Sequence, residues 1–237
     1  MSKVLVLAGV LLALAASQVA AQIAYDPFFV LPGKAKAMGV DVGLINGKIS
    51  KIADMSDVYA MAKYSVNDKL EIGGRATFGF LVDGGDAFSS AVVGAKYSMR
   101  ETCALNANFL VPAGSVDDPG LSVGLMHVFD MGNGLKINAL PHVGLLKGYA
   151  PKGIALHALI EPCKAVNDQL TAYLDINVRT NTDDIGGSYL AINLTPNVDC
   201  KVNDKIVANL GISLGVAGDA KQADPGIALA VIMDVGK

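Results

Sequence analysis

Hydrophobic and polar side chains alternate with period two along most of this chain. In "KLEIGGRATFGFLV" (69–82), Leu70, Ile72, Gly74, Ala76, Phe78 and Phe80 share one parity, while Lys69, Glu71, Gly73, Arg75 and Thr77 share the other. A two-residue period is the signature of a strand with unlike faces. Upstream, "VYAMAKYS" sets Val58, Ala60, Ala62 and Tyr64 against Lys63. Between the two runs lies "VNDKL" (66–70), which returns as "VNDQL" at 166–170 and "VNDKI" at 202–206. Asn and Asp both tolerate the left-handed backbone of a two-residue hairpin, so each copy is expected to be a hairpin hinge. "RET" (100–102) and "GNG" (132–134) supply two further tight connections.

The other connections are longer and rich in Gly, Asp and Pro: 46–57, 83–89, 113–120, 147–153, 180–187 and 217–226. Tight turns and long loops therefore alternate, as they must at the two ends of an up-and-down antiparallel sheet. The runs between them predict twelve strands, near 34–45, 57–66, 69–82, 89–99, 103–112, 120–130, 135–146, 153–165, 169–180, 187–201, 205–216 and 226–235. An even count brings both ends of the sheet to the tight-turn side.

One parity carries no charge from strand to strand. It includes Ala91, Val93, Ala95 and Tyr97, then Leu105, Ala107, Phe109 and Val111, and later Ile227, Leu229, Val231 and Met233. The opposite parity gathers Asn106, Asn108, Asn138, Asn193 and Asn197 with nearly all the strand charges. The apolar face is rich in alanine and too small to fill the inside of a twelve-stranded barrel. Polar inside and apolar outside is the transmembrane arrangement, in which closure removes the edges lipid cannot satisfy. The competing fold is a soluble secreted barrel or sandwich with the apolar parity as its core.

Composition adds the route. Residues 1–21 join a positive start at Lys3 to the apolar run "VLVLAGVLLALAA" and small residues ending at Ala21, the pattern of a cleaved signal peptide. Residues 22–237 are then a single β-barrel domain. Hydrophobic residues make up 52% of the chain, yet no later segment is an uninterrupted apolar span of helical length. The formal charge is −3, and losing Lys3 makes it more negative, which argues against a nucleic-acid partner. Cys103, Cys163 and Cys200 lack metal-ligand spacing and are expected to be buried or rim thiols.

The whole mature segment resembles Gram-negative outer-membrane β-barrel proteins, and by strand count the small twelve-stranded porins. The resemblance implies an all-β, closed antiparallel up-and-down barrel with tight periplasmic turns and longer external loops. It also implies a monomer in the cell outer membrane, partnered by outer-membrane lipid and by small polar solutes that diffuse through it. Two features depart from the family pattern. The chain ends "MDVGK" rather than in an aromatic residue, and it has no tryptophan, which leaves Tyr64, Tyr97 and Phe129 as a thin aromatic belt.

The lumen is expected to be lined by Lys63, Arg75, Lys96, Arg100, Lys136, His142, His157 and Arg179 together with Glu71, Glu161, Asp175, Asp199 and Asp234, a mixture pointing to weak selectivity. A symmetric hairpin around 147–152 sets His142 opposite His157 and Asn138 opposite Glu161. Two histidines near a carboxylate can bind a metal or move a proton, but a polar lumen accounts for them as well. Phospholipase chemistry would need an outward Ser beside His127, and none is placed there. No cofactor and no catalysis are therefore expected. The alternative to a channel is a sealed barrel with a structural or surface-binding role. Asp83, Asp86, Asp117, Asp118, Asp183, Asp184, Asp219 and Asp224 are expected to form a loose acidic rim on the loops.

Overall fold

The computed structural model describes residues 36–50, 53–79, 90–113, 118–145, 154–181, 189–218 and 225–235. The leader at 1–21 lies outside them, as do all the loop aspartates except Asp118. The strands are β1 (Met38–Ser50), β2 (Ala53–Ser65), β3 (Leu70–Gly79), β4 (Ser90–Arg100), β5 (Cys103–Val111) and β6 (Gly120–Gly132). They continue with β7 (Leu135–Gly144), β8 (Ala155–Ala165), β9 (Leu170–Asn181), β10 (Tyr189–Asn203), β11 (Ile206–Gly218) and β12 (Gly226–Asp234). Each pairs antiparallel with its sequence neighbours, and β1 pairs with β12 to close the barrel.

The alternation decides which side chain goes where. On β5, Ala104, Asn106, Asn108 and Leu110 are buried, while Leu105, Ala107 and Phe109 are exposed. Leu105, Leu210 and Ile212 keep 50%, 55% and 50% of their surface exposed, while Lys96 and Glu71 retain 0% and 1%. A protein in water does the reverse with leucine and lysine. The inversion is the transmembrane barrel pattern. Leu229 departs from its row: Ile227 is exposed, but Leu229, flanked by Leu210 on β11, is buried. Tyr64, Tyr97 and Phe129 are exposed near the tight-turn end, where the edge of His127 packs on the Phe129 ring at 4.3 Å between centroids.

Two sequence expectations change. Segment 46–57 is mostly strand, because β1 and β2 run on as a ladder with Gly47 opposite Met55 and Lys48 opposite Asp54. Its Gly and Asp residues mark a register shift near Lys48–Ser50 rather than a long loop. The Asn-Asp hinges are also built differently. Among the described residues only Lys36 and Asn133 are non-glycines with positive φ, so Asn67 and Asn167 are not left-handed.

Their side chains close the turns instead. The Asn67 Oδ1 accepts from the Lys69 and Leu70 amides, both at 2.8 Å, and the Val66 amide donates to the Leu70 carbonyl at 2.8 Å. Asn167 repeats this with Gln169 and Leu170 at 2.8 and 2.9 Å. Asn203 accepts from the Lys205 amide at 2.8 Å in a shorter turn, where Lys201 also pairs with Asp204. The repeated letters thus encode an asparagine that satisfies the amides of a reversing chain. Among the tight turns, left-handed backbone falls at Gly132-Asn133-Gly134, with φ of 78°, 54° and 74°. Replacing Asn67 with Ala is expected to cost about 1 kcal/mol, since the freed amides can turn to water. The midpoint of urea unfolding measures it, and an unchanged midpoint would show that the side chain does not hold the turn.

Candidate functional site: the polar lumen

Inward positions from neighbouring strands assemble into layers. On β3 and β4, Glu71 and Lys96 face each other in register, and the ammonium sits 2.8 Å from the carboxylate. The Ser65 hydroxyl approaches the same carboxylate at 3.5 Å. On the next strands the amide of Asn108 donates to Ser122 at 3.2 Å and also to Asn106, whose own amide donates to the Ala95 carbonyl. Asn106 Oδ1 lies 3.1 Å from His142 Nε2, so one polar chain spans β4 to β7. Asparagine suits such a chain because it both donates and accepts.

The β7–β8 hairpin pairs His142 with His157 and Asn138 with Glu161. The two imidazoles stack with centroids 6.3 Å apart, and the His142 ring lies over Gly124 on β6, where any side chain would overlap it. His157 hydrogen-bonds Asn177 and stands beside Arg179. Glu161 is held by the Asn138 amide at 2.6 Å. Each histidine is thus engaged by an asparagine rather than by the other's lone pair. Among the described residues no three His, Cys, Asp or Glu side chains are arranged to hold a metal ion.

Farther round, the Tyr173 hydroxyl donates to Asp199 at 2.8 Å, and the Asn209 amide donates to Asp199 at 2.7 Å. The Tyr59 hydroxyl donates to Asp41 at 3.3 Å, and the Arg75 guanidinium sits 3.7 Å above the Tyr59 ring. Tyr59 covers Gly43 of β1, as His142 covers Gly124. Glycine admits a flat ring between strands in both places.

Of the residues expected in the lumen, Glu71, Arg75, Lys96, His142, His157, Glu161, Asp175 and Arg179 are buried, while Lys63 and Asp199 are half-buried. Arg100, Lys136 and Asp234 are exposed at the tight-turn rim. Cys103 and Cys163 are half-buried free thiols and Cys200 is exposed. The lumen also has an apolar side. Ala104, Met126, Leu140 and Leu159 form one buried cluster with Val128 against it, and Met61, Val92 and Leu110 form another. Parity alone points to them, since Leu140 alternates in step with Asn138 and His142, and Leu159 with His157 and Glu161.

A cavity of about 520 Å³ occupies the tight-turn half. Its wall runs from Glu101 and Thr102 at a turn, past Lys136, to Glu161, Asp175 and Asp199 deeper inside.

No protein-family model and no curated protein matches this chain. Among solved structures it is similar to an outer membrane channel from Pseudomonas putida F1, with a TM-score of 0.66 at 12% identity over 88% of this chain and 99% of that one. It is also similar to a bacterial polysaccharide outer membrane secretin, with a TM-score of 0.51 at 10% identity over 86% and 77% of the two chains. At such identities the likeness is one of fold. The chain has the fold of an outer-membrane β-barrel.

Proposed function

We propose that the protein resides in the outer membrane as a small monomeric channel through which small polar solutes diffuse passively. The observation that carries this reading is the cavity of about 520 Å³ inside a polar lumen, reaching the tight-turn rim. Eight strands enclose space that side chains fill and sixteen leave an open channel, so a twelve-stranded barrel with a roomy half is suited to slow, small-solute passage. The channel named above, of similar fold, supports the reading. His142 and His157 are bound up with Asn106 and Asn177, and no catalytic role is proposed for them.

One observation favours a sealed barrel instead. The Glu71–Lys96 pair and the two apolar clusters fill the β2–β8 side of the lumen. Conductance of the purified mature protein in a planar bilayer separates the two. Discrete ohmic steps are expected. Silence from protein that still migrates differently before and after boiling would mean a folded barrel without a path, and the channel reading would fall.

A further inference from the structure

The charges around the cavity are mostly negative. Glu161 from β8, Asp175 from β9 and Asp199 from β10 converge on it from three successive strands, with Asp41 joining from β1. Among the described lining residues the one cationic side chain is Lys136, exposed at the rim. His157 and Arg179 lie toward the loop ends of their strands and do not line it.

Neutral groups hydrogen-bond Glu161 and Asp199: the Asn138 amide donates to Glu161, and Tyr173 and Asn209 donate to Asp199. Such donors orient a carboxylate without cancelling its charge. Asp175 is 2% exposed, borders the cavity, and its Oδ1 has no hydrogen-bond partner. The Glu161 and Asp175 carboxyl groups also lie within hydrogen-bonding reach of each other. Like groups in contact away from bulk water are relieved by a shared proton or by a cation drawn in beside them. The strands to either side are different: Val128 of β6 and Ala230 and Ile232 of β12 border the same space.

We propose that this cavity binds a small organic cation, an ammonium group carried on an apolar body, and that such cations are the solutes the channel admits. The second clause rests on the channel reading above, and the first does not. An ammonium needs acceptors and negative potential but no fixed coordination geometry. A bare metal ion does need it, and among the described residues no three-donor set provides it. The volume suits a small molecule.

The probe is 2-phenylethylammonium chloride, with 2-phenylethanol as its uncharged counterpart. Calorimetry on the detergent-solubilised, heat-modifiable protein is expected to show binding of the amine and not of the alcohol. The E161Q/D175N variant, which keeps the shape of both side chains, is expected to bind the amine at least about tenfold more weakly. In bilayers the amine is expected to reduce wild-type current reversibly. Equal binding of amine and alcohol, equal binding by wild type and a folded variant, or no wild-type binding at millimolar amine would overturn the site. Calorimetric binding without any current would leave the site standing and remove the channel. Current without binding would do the opposite.

Discussion

Replacing Lys96 with methionine is expected to destabilise the barrel by about 3–5 kcal/mol. Lys96 and Glu71 have 0% and 1% of their surface exposed, and their charges stand 2.8 Å apart on paired strands. The effect does not measure the worth of the ion pair, because attraction in a buried site is offset by lost hydration. It measures the penalty of leaving the buried Glu71 carboxylate without the Lys96 ammonium. The double variant E71Q/K96M removes both charges and should recover most of the loss. Urea unfolding in lipid or detergent, followed by the mobility difference between folded and boiled protein, reads both. If the single variant costs no more than the double, the pair is not buried as described.

Replacing Ile160 with arginine is expected to cost about 2–4 kcal/mol, as a cation near the bilayer midplane does on a barrel's outer face. Ile160 is the middle residue of β8 and 40% exposed on the outward parity. In a barrel surrounded by water the same substitution would lie within about 0.5 kcal/mol of neutral and raise solubility. Unfolding from lipid vesicles gives the number. A near-neutral result would move the outer face from lipid to water, and the outer-membrane placement would go with it.

Much of this molecule can be read from its letters. Period two finds the strands, because a residue and its second neighbour must share a face. The 147–152 hairpin also fixes its own register, so the His142–His157 and Asn138–Glu161 pairs follow from counting outward. The 46–57 connection misleads, since Gly47 and Asp54 look like loop residues while their backbone stays on the ladder. The acidic cavity is hidden for another reason. Glu161, Asp175 and Asp199 meet only once β9 and β10 are set in register, and nothing in the letters of the 182–188 connection fixes that register. A list of lumen charges therefore reads as mixed when space has sorted them. The apolar lumen residues were visible as parity, but an expectation of a polar interior passes over Leu140 and Leu159.

The clasp between β1 and β12 differs from every other contact in the wall. Eleven of the twelve strand pairings join sequence neighbours, whereas this one brings Gly39 to Asp234 and Val42 to Val231, and the Val235 amide to the Met38 carbonyl. Loop-closure entropy rises only slowly with chain length, so this distant pairing is slow to find but not prohibitively costly to hold. Hairpins can zip up one after another while the two outermost strands remain open edges. The order of assembly is thus written into the connectivity, and the same connectivity makes the wall a ring whose cut point is arbitrary. A circularly permuted chain, with residues 38 and 235 bridged and new ends opened in another connection, would keep every strand beside the neighbours it has now.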